Sequence, residues 1–399
     1  MDFHFNAYST PLLFGFVQGW LYAILLWMRA WRQERLSDAL LGGVLVGLCF
    51  NIWEYMLGFG GVEVLWRELE FFPRGLGLLF PPLCYFYLKS QFDAGFRFAG
   101  RDLRHAIPFG IDAGYHVVVF LQGPQFVEWW KQTVHYPYHL PDITAVASLL
   151  SSLYYLRRAL RLYRQYRSWT PTQFSTPEVV SFRWYRNFIV ALAASLVFGL
   201  VTNVLDAWLD LNYWQEWWDS LYGAALIYYV SIAGYGQPQP VRSLTFSPPA
   251  PVAAVPPADA EPGGVPQVLR PVEALGGELD AWKGQLLDLM EAGKPYLEVE
   301  LSLPDLARRL GMPVALLSQV INEGTGKNFN DFINAYRVAE FLRQAREPAN
   351  AHLSLLGIAL NSGFNSKSTF NRAFKKVTGT SPKDYHDRQQ SPVPQQIHA

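Results

Sequence analysis

The chain has few cysteines and few charged residues for its length of 399 residues. Its two cysteines, Cys49 and Cys84, form no CxxC pair, which excludes a disulfide framework and a cysteine-based metal site. Charged residues make up 17% of the chain, and 33 basic residues balance 33 acidic ones. The sequence also lacks a P-loop, a dinucleotide fingerprint, an HExxH motif and a nucleophile elbow. We therefore predict a protein that is not an enzyme and that holds no cofactor or metal.

Long apolar blocks are abundant and follow one another up to residue 235. A helix needs about 20 residues to cross a bilayer. Seven blocks are candidates for such crossings, at residues 11–28, 39–59, 72–88, 106–121, 143–160, 185–209 and 219–235. Pro81 and Pro82 interrupt the third block, and Asp112 and His116 interrupt the fourth. The alternative is a buried helical domain of a soluble protein, which seven successive blocks disfavour.

Basic residues alternate between the segments that connect these blocks. The segments at 29–38, 89–105 and 157–186 hold 14 Lys and Arg residues, whereas the alternate segments hold 3. Basic connecting segments stay on the cytoplasmic side of a membrane. This distribution predicts a multi-pass protein of a bacterial inner (cytoplasmic) membrane. Its amino terminus would lie outside and, after seven crossings, its carboxyl terminus would lie in the cytoplasm.

The composition changes after residue 236. Ten prolines lie between residues 237 and 271, which is typical of a flexible tether whose ends lie roughly 30 Å apart. A predicted helix follows, with its apolar residues on one side: Leu275, Leu279, Trp282, Leu286, Leu287 and Met290. It would either pack on the next domain or pair with a second copy of the chain. The predicted organisation is a membrane domain at 1–236, a linker at 237–272, a linker or dimerisation helix at 273–293, a further domain at 294–388 and a disordered tail at 389–399.

The most specific pattern lies near the carboxyl terminus, between residues 353 and 385. Ile358 and Ala359 share the apolar face of a first helix, and Gly363 stands where the chain must turn. Phe364, Phe370 and Phe374 then recur at a spacing that fits the inner face of a second helix. The opposite face carries side chains that can donate to base edges and phosphates: Lys367, Ser368, Asn371 and Arg372.

A second unit of the same kind lies about fifty residues earlier. Ser302 is a predicted helix cap, Gly311 a predicted turn residue, and a second helix follows from residue 313 to 322. Leu317, Val320 and Ile321 would face inward, which leaves Ala315, Ser318, Gln319 and Asn322 outward. A connecting helix at 328–345 would be about 27 Å long. This length approaches the spacing of about 34 Å between successive major-groove faces, so one chain could place two helices on one side of a duplex.

Together these elements resemble the double helix-turn-helix domain of AraC/XylS-family transcription regulators. The resemblance covers residues 294–388 and rests on Ile358-Ala359…Gly363-Phe364, Ser366…Phe370-x-Arg372-x-Phe374-Lys375-Lys376 and Gly379…Ser381-Pro382…Tyr385. It implies sequence-specific binding of double-stranded DNA and contact with RNA polymerase. It places base-facing residues at Ala315, Ser318, Gln319, Lys367, Ser368, Asn371 and Arg372.

The remaining polar residues of this domain have less specific roles. We predict phosphate contacts for Lys375 and Lys376, and either a cap or a DNA contact for Asn322. His386 departs from the family, which often has arginine there, so a backbone contact would be weaker. Twelve basic residues against eight acidic ones between residues 300 and 388 give a sign that suits DNA.

Polar residues inside the apolar blocks suggest that the membrane part senses a signal, because such residues are costly in a bilayer and usually face the bundle interior. The candidates are Asn51, Glu54, Arg74, Asp112, His116, Asn203, Asp206 and Asp219. They would line a cavity for a small polar or cationic ligand, or they would pair internally, for example Arg74 with Glu54 or Asp206. A hydrolase that uses His116 with Asp112 lacks a specified nucleophile.

The sequence thus predicts an all-α protein with a seven-helix transmembrane bundle, a Pro-rich linker and two helix-turn-helix units. Its function would be membrane-bound regulation of transcription, with the bilayer, DNA, RNA polymerase, an unknown signal and a possible second copy as partners. The alternatives are a transporter or receptor bundle with an attached DNA-binding reporter domain, and a membrane part that is only a tether.

Overall fold

The computed structural model describes residues 3–93, 95–175, 182–215, 217–237 and 276–385. The regular secondary structure of these residues is helical, and among them the only strand-like pairing is one isolated antiparallel bridge, Phe174–Ser302. The predicted all-α class is therefore confirmed. Residues 238–272 of the predicted linker, the predicted tail at 389–399 and His386 lie outside the described residues.

The described residues form two compact units. The first comprises residues up to 165 and from 182 to 237, and the second comprises residues 166–175 and 276–385. A short stretch from the middle of the chain thus belongs to the same unit as the carboxyl-terminal domain. The sequence pattern gave no indication of this grouping.

The helices of the first unit are α1 (Ser9–Gln33), α2 (Leu36–Phe59), α3 (Val64–Arg67), α4 (Phe80–Phe92), α5 (Ile107–Phe120), α6 (Pro124–Trp130), α7 (Leu140–Gln173), α8 (Phe182–Leu209) and α9 (Trp217–Tyr235). The last residues of α7 belong to the second unit. Glycine allows a close approach between helices at Gly19 of α1. A Cβ atom there would lie 2.4 Å from the sulfur of Cys49 and 2.9 Å from Ile227, so a larger residue would push α2 and α9 away.

Three helical segments are long and apolar enough to cross a membrane: Ser9–Gln33, Leu36–Phe59 and Arg183–Leu209. They contain the first, second and sixth of the seven predicted blocks. The fifth and seventh blocks lie in α7 and α9. These two helices are long enough to cross a membrane, but they are less apolar or more highly charged than the three segments named above. Seven spans are therefore not shown.

The third and fourth predicted blocks form helices that are shorter than the prediction. Helix α4 has 13 residues and α5 has 14, or about 20 and 21 Å, against a hydrocarbon core about 30 Å thick. Helix α4 begins only at Phe80 because Pro81 and Pro82 have no backbone N–H and fit only into a first helical turn. Residues 72–79 of the predicted block are consequently not helical.

The helices of the second unit are α10 (Gly276–Ala292), α11 (Leu303–Leu310), α12 (Val314–Thr325), α13 (Phe329–Ala345), α14 (Leu355–Asn361) and α15 (Lys367–Thr378). Two hydrophobic cores share α13. Phe329, Phe332 and Ile333 from its first half pack with α10, α11 and α12. Val338 and Phe341 from its second half pack with α14 and α15. One continuous helix therefore sets the separation of two small helical subdomains.

Candidate nucleic-acid interface

The first helix-turn-helix is formed by α11 and α12. The Ser302 hydroxyl accepts a hydrogen bond from the backbone N–H of Asp305 at 3.3 Å, which satisfies a free donor in the first turn of α11. Gly311 ends this helix with a φ of 67°, a left-handed conformation that glycine adopts at little cost. On α12 the inward positions are those predicted, since Leu317, Val320 and Ile321 are all buried. The predicted caps and turn are confirmed.

The second helix-turn-helix is formed by α14 and α15. Ser354 caps α14 through the N–H of Gly357, and Ser366 caps α15 through the N–H of Thr369. Between them, Gly363 has a φ of 92°. Phe364, Phe370 and Phe374 are at most 2% exposed and form the centre of the second core. The aromatic spacing thus marked the inner face of α15 correctly at Phe370 and Phe374, whereas Phe364 lies in the turn before this helix and is buried from there.

The outer faces of α12 and α15 carry the predicted DNA contacts. On α15 the predicted side chains are all exposed, namely Lys367, Ser368, Asn371, Arg372, Lys375 and Lys376. On α12, Ala315 and Asn322 are exposed, whereas Ser318 and Gln319 are half-buried. Asn322 donates to the Ser318 hydroxyl at 3.4 Å, and Gln319 donates to Glu323 at 3.1 Å. The two outer faces therefore differ, since basic residues occur only on α15.

The two lysines near the end of α15 have different surroundings. The ammonium group of Lys376 lies 2.7 Å from both carboxylate oxygens of Asp331 in the first turn of α13. This ion pair joins the second helix-turn-helix to the connecting helix, so a phosphate would have to compete with Asp331 for Lys376. Lys375 is exposed, and it is the better candidate for a phosphate contact.

Arg337 lies at the middle of α13, between the two cores, and is fully buried. Its guanidinium donates to the carbonyl oxygens of Tyr296 and Glu298, both at 2.7 Å. Buried charge of this kind requires several acceptors. Arg337 therefore ties the chain before α11 to the connecting helix. Arg337 was not among the residues predicted from the sequence. The sequence feature that indicates its burial is its position as a charged residue between the apolar residues Ile333, Val338 and Phe341, all of which are buried.

Glu340, one turn further along α13, is also buried. Its carboxylate accepts hydrogen bonds from Arg343 at 2.6 and 2.9 Å and from Gln344 at 2.9 Å. The Arg343 hydrogen bonds are the main cause that lowers the pKa of Glu340 to about 2. The carboxylate consequently stays charged at any physiological pH.

Helix α10 packs on the first helix-turn-helix. Leu286 and Met290 are fully buried in its core, and Leu279 and Trp282 pack against that core. This contact corresponds to the first of the two packing alternatives that the sequence left open. Pairing with a second copy stays a prediction.

The structure brings together some of the predicted ligand-binding residues of the first unit. Arg74 forms an ion pair with Glu54 and donates to the carbonyl oxygens of Leu65 and Leu69 at 3.2 and 3.0 Å. Asp112 and His116 face each other along α5, with the imidazole 3.8 Å from the carboxylate. The pairing of Arg74 with Glu54 is one of the internal pairs considered from the sequence.

The other predicted ligand residues lie apart from these pairs. Asn51, Asn203 and Asp206 have exposed side chains, and Asn203 donates to the carbonyl of Gly199 one turn earlier at 2.6 Å. Asp219 is half-buried in the first turn of α9. A cavity of about 660 Å³ between α1 and α9 is lined by other, mostly apolar residues, among them Phe14, Leu221 and Tyr228. The shared ligand cavity therefore stays a prediction.

The capped pairs α11–α12 and α14–α15, joined by α13, form an AraC-type helix-turn-helix domain. The exposed donors on α15 are the chemistry by which such a domain binds DNA. The second unit is therefore a helix-turn-helix domain at the carboxyl-terminal end of the chain.

Comparisons with known proteins agree with this class. The helix-turn-helix domain family matches residues 306–388. Three proteins of Staphylococcus aureus, including one from strain COL and one from strain MSSA476, are each 31% identical over 106 residues. Each is named as an uncharacterized HTH-type transcriptional regulator. The match spans 25% of this chain and only 13% of each relative. No solved structure matches the chain significantly.

Proposed function

We propose that the chain is a membrane-bound, one-component transcription regulator. Its second unit binds specific DNA through two helix-turn-helix units, and its first unit lies in the inner membrane and senses a signal. The observation that carries the proposal is the presence in one chain of a complete double helix-turn-helix and of long apolar helices with apolar side chains on their outer faces.

The DNA-binding part of the proposal rests on α15. Lys367, Asn371 and Arg372 lie on its exposed face near the amino-terminal end, opposite the buried phenylalanines. In helix-turn-helix proteins this end of the second helix enters the major groove. We assign base contacts to these residues and to Ser368, and phosphate contact to Lys375. On α12 the uncharged residues Ala315, Ser318 and Gln319 would make weaker contacts with the adjacent turn of the groove.

The membrane part rests on exposed apolar faces. On α1 the side chains of Phe14, Val17, Leu21, Ile24 and Met28 recur every three or four residues and are 45–62% exposed. Such spacing places them on one helical face. A contiguous apolar face of this length is unfavourable in water but favourable against lipid tails.

Helix α8 has a similar outer face. Val190, Val197, Val201 and Val204 are 50–66% exposed, and the apolar window within Arg183–Leu209 is only 11% buried inside the unit. A helix of this composition would be covered by lipid or by another membrane helix. This supports placing α8 at the periphery of a membrane bundle.

The topology follows from parity and from the charges. Three crossings and seven crossings are both odd, so either number carries the second unit to the side opposite the amino terminus. The basic segment at 29–38 follows the first crossing, which assigns that opposite side to the cytoplasm. DNA is there. We propose seven crossings, with the turns before Phe80 and the 3₁₀-helix Gly100–Ala106 lengthening the short helices α4 and α5.

We propose a sensing role for the first unit because a single helix would be enough to anchor the chain in a membrane, and this unit has more than one long apolar helix. The ion pair between Arg74 and Glu54 and the pair of Asp112 with His116 are the polar contacts on which a ligand would act. A signal would shift the packing of the bundle and so alter the occupancy of the DNA site.

Two measurements test the proposal. A reporter enzyme fused after Ala399 should be active in the cytoplasm, and the full-length chain should leave the membrane only with detergent. Genome-wide footprinting of the full-length chain should recover a recurrent DNA site. A periplasmic reporter signal or a chain that is soluble without detergent would refute the membrane part, and footprints without a common sequence would refute specific DNA binding.

A further inference from the structure

Residues 166–175 contact the DNA-binding domain although they precede α10 by about a hundred residues in the sequence. Phe174 and Ser302 form an antiparallel bridge, and the N–H of Ser175 donates to the carbonyl of Leu301 at 3.2 Å. Ser302 is the residue that caps α11. The segment therefore pairs with the backbone directly at the start of the first helix-turn-helix.

Ser175 contacts the connecting helix as well. Its carbonyl oxygen accepts from Asn330 at 2.6 Å and from Arg337 at 3.4 Å, and its hydroxyl accepts from Arg337 at 3.1 Å. Ser175 is fully buried, and so is Arg337. Arg337 thus holds two different chain segments at once, the one before α11 and the one after α7.

Several side chains of the segment are buried as well. Phe174 is 7% exposed and Tyr166 is 5% exposed, while Thr170 between them is fully buried. Burial also raises the pKa of Tyr166 to about 12. By contrast, Ser168 on the same stretch is exposed. The segment therefore has one buried side, formed by Tyr166, Thr170 and Phe174.

We propose that residues 166–175 are an intramolecular docking segment, with Arg337 and Asn330 of α13 as its receptor, through which movement of α7 reaches the DNA-binding domain. The regulatory half of this inference rests on the proposed function; the docking half does not. Helix α7 continues into the segment without a break up to Gln173. The segment thus gives the DNA-binding domain a second attachment, independent of the proline-rich linker.

The chemistry of the contact suits reversible docking. Undocking would expose the side chains of Arg337 and Asn330 and the Leu301 carbonyl, all of which water can solvate. Undocking would also expose the Phe174 side chain, which is 7% exposed in the docked state. A contact of this kind can be shifted by a modest change elsewhere in the chain.

Disulfide trapping tests the docking. Phe174 and Ser302 are a non-hydrogen-bonded antiparallel pair, for which the Cα atoms lie about 4.5 Å apart, within the range that a disulfide tolerates. The full-length chain would carry Phe174→Cys with Ser302→Cys and a protease site inserted between residues 238 and 272. After oxidation in membranes and cleavage, the two halves should stay together on a non-reducing denaturing gel and separate on reduction. Ser168→Cys with Ser302→Cys is the matched control and should give separated halves.

A further substitution tests the role of Ser175. Adding Ser175→Leu to the trapping pair overfills a buried site and should lower the linked fraction by about fivefold or more, whereas adding Ser168→Leu should not. If the Ser175→Leu variant fails to accumulate, Ser175→Ala is used instead. This change removes only the hydroxyl acceptor and should lower the linked fraction by about twofold to tenfold. Equal linkage in the two pairs, or no effect of any change at Ser175, would overturn the docking site.

Coupling to DNA is measured on the same variants. The Kd of the full-length Phe174→Cys/Ser302→Cys chain for its DNA site should differ between the oxidised and reduced forms by about fivefold or more, with no difference for the Ser168→Cys control. Equal Kd values would overturn the coupling. If the unsubstituted full-length chain binds no specific DNA site while the disulfide still forms in the variant, the proposed function fails and the docking site stands.

Discussion

Replacing Gly363 by alanine tests how tightly the second helix-turn-helix is held to the rest of its domain. Gly363 has a φ of 92°, a backbone conformation that alanine adopts only with strain. A Cβ atom at this position would also lie 2.5 Å from the carbonyl oxygen of Tyr296 and 3.0 Å from the Cα of Leu297. Both neighbours are backbone atoms, which cannot rotate away. The turn must therefore open or the Tyr296 segment must move.

The two effects have separate magnitudes. The left-handed conformation costs a non-glycine residue about 1–2 kcal/mol. Overpacking against fixed neighbours adds about 1–3 kcal/mol. Gly363→Ala should therefore lower the free energy of local unfolding of α13, α14 and α15 by about 2–5 kcal/mol. Gly379→Ala is the matched control, since its φ is 80° but no atom lies within 4 Å of the added carbon. It should lower the same free energy by only about 1–2 kcal/mol.

Native-state hydrogen exchange of the full-length protein in detergent micelles measures the loss of free energy in both variants, from the slowest amides of α13, α14 and α15. The reasoning requires the Gly363 variant to lose clearly more protection than the Gly379 variant. Equal losses would mean that the Tyr296 carbonyl does not confine the turn. Little loss in either variant would mean that these turns are not left-handed.

Three further predictions concern binding, acidity and sensing. Arg372→Ala should weaken binding to the specific DNA site by about 1–3 kcal/mol, whereas Lys375→Ala should weaken binding to all sequences and reduce the salt slope by about one, as measured by fluorescence anisotropy. Acid unfolding of the domain should depend on Glu340, whose lowered pKa contributes about 1–3 kcal/mol above pH 4.5 and less as the pH falls towards 2. Glu54→Gln and Asp206→Asn should change the inducer response of a reporter gene at normal membrane levels.

Each of these predictions has a contradicting result. Equal loss on every DNA sequence after Arg372→Ala would make this residue a phosphate contact only. Glu340→Gln removes the charge, so the variant should lose stability near neutral pH and lack the dependence between pH 4.5 and 2; an unchanged pH profile would contradict the assignment. An unaltered inducer response in both Glu54→Gln and Asp206→Asn would remove these carboxylates from the sensing site.

Local patterns predicted the helix-turn-helix units well because their determinants are local. A cap such as Ser302 bonds three residues ahead, and a turn glycine such as Gly311, around which no atom would meet an added Cβ, is needed only for its own φ. Buried phenylalanines at helical spacing likewise mark one face of one helix. All of this information lies within a dozen residues of sequence.

Other features depend on contacts that no local pattern records. Ser175 bonds Arg337 across 162 residues, and Lys376 bonds Asp331 across 45. A lone serine after a basic segment reads as part of a connecting loop. Hydropathy also marks apolar blocks without fixing helix ends. The third predicted span begins at residue 72, whereas α4 begins only at Phe80, next to the two prolines that interrupt the block.

Helix α13 is the element on which these contacts converge, and its geometry limits how a signal could act. Phe329 and Ile333 fix it to the first core, Val338 and Phe341 fix it to the second, and Arg337 between them holds Ser175. The helix is about 26 Å long, so a small bend at Arg337 would change the relative position of α12 and α15 without any change in their own side chains. Two successive major-groove faces lie about 34 Å apart, which makes simultaneous binding sensitive to such a bend. If residues 166–175 regulate DNA binding as proposed, displacing Ser175 from Arg337 would alter the fit of both helices without any change at the DNA-contacting residues.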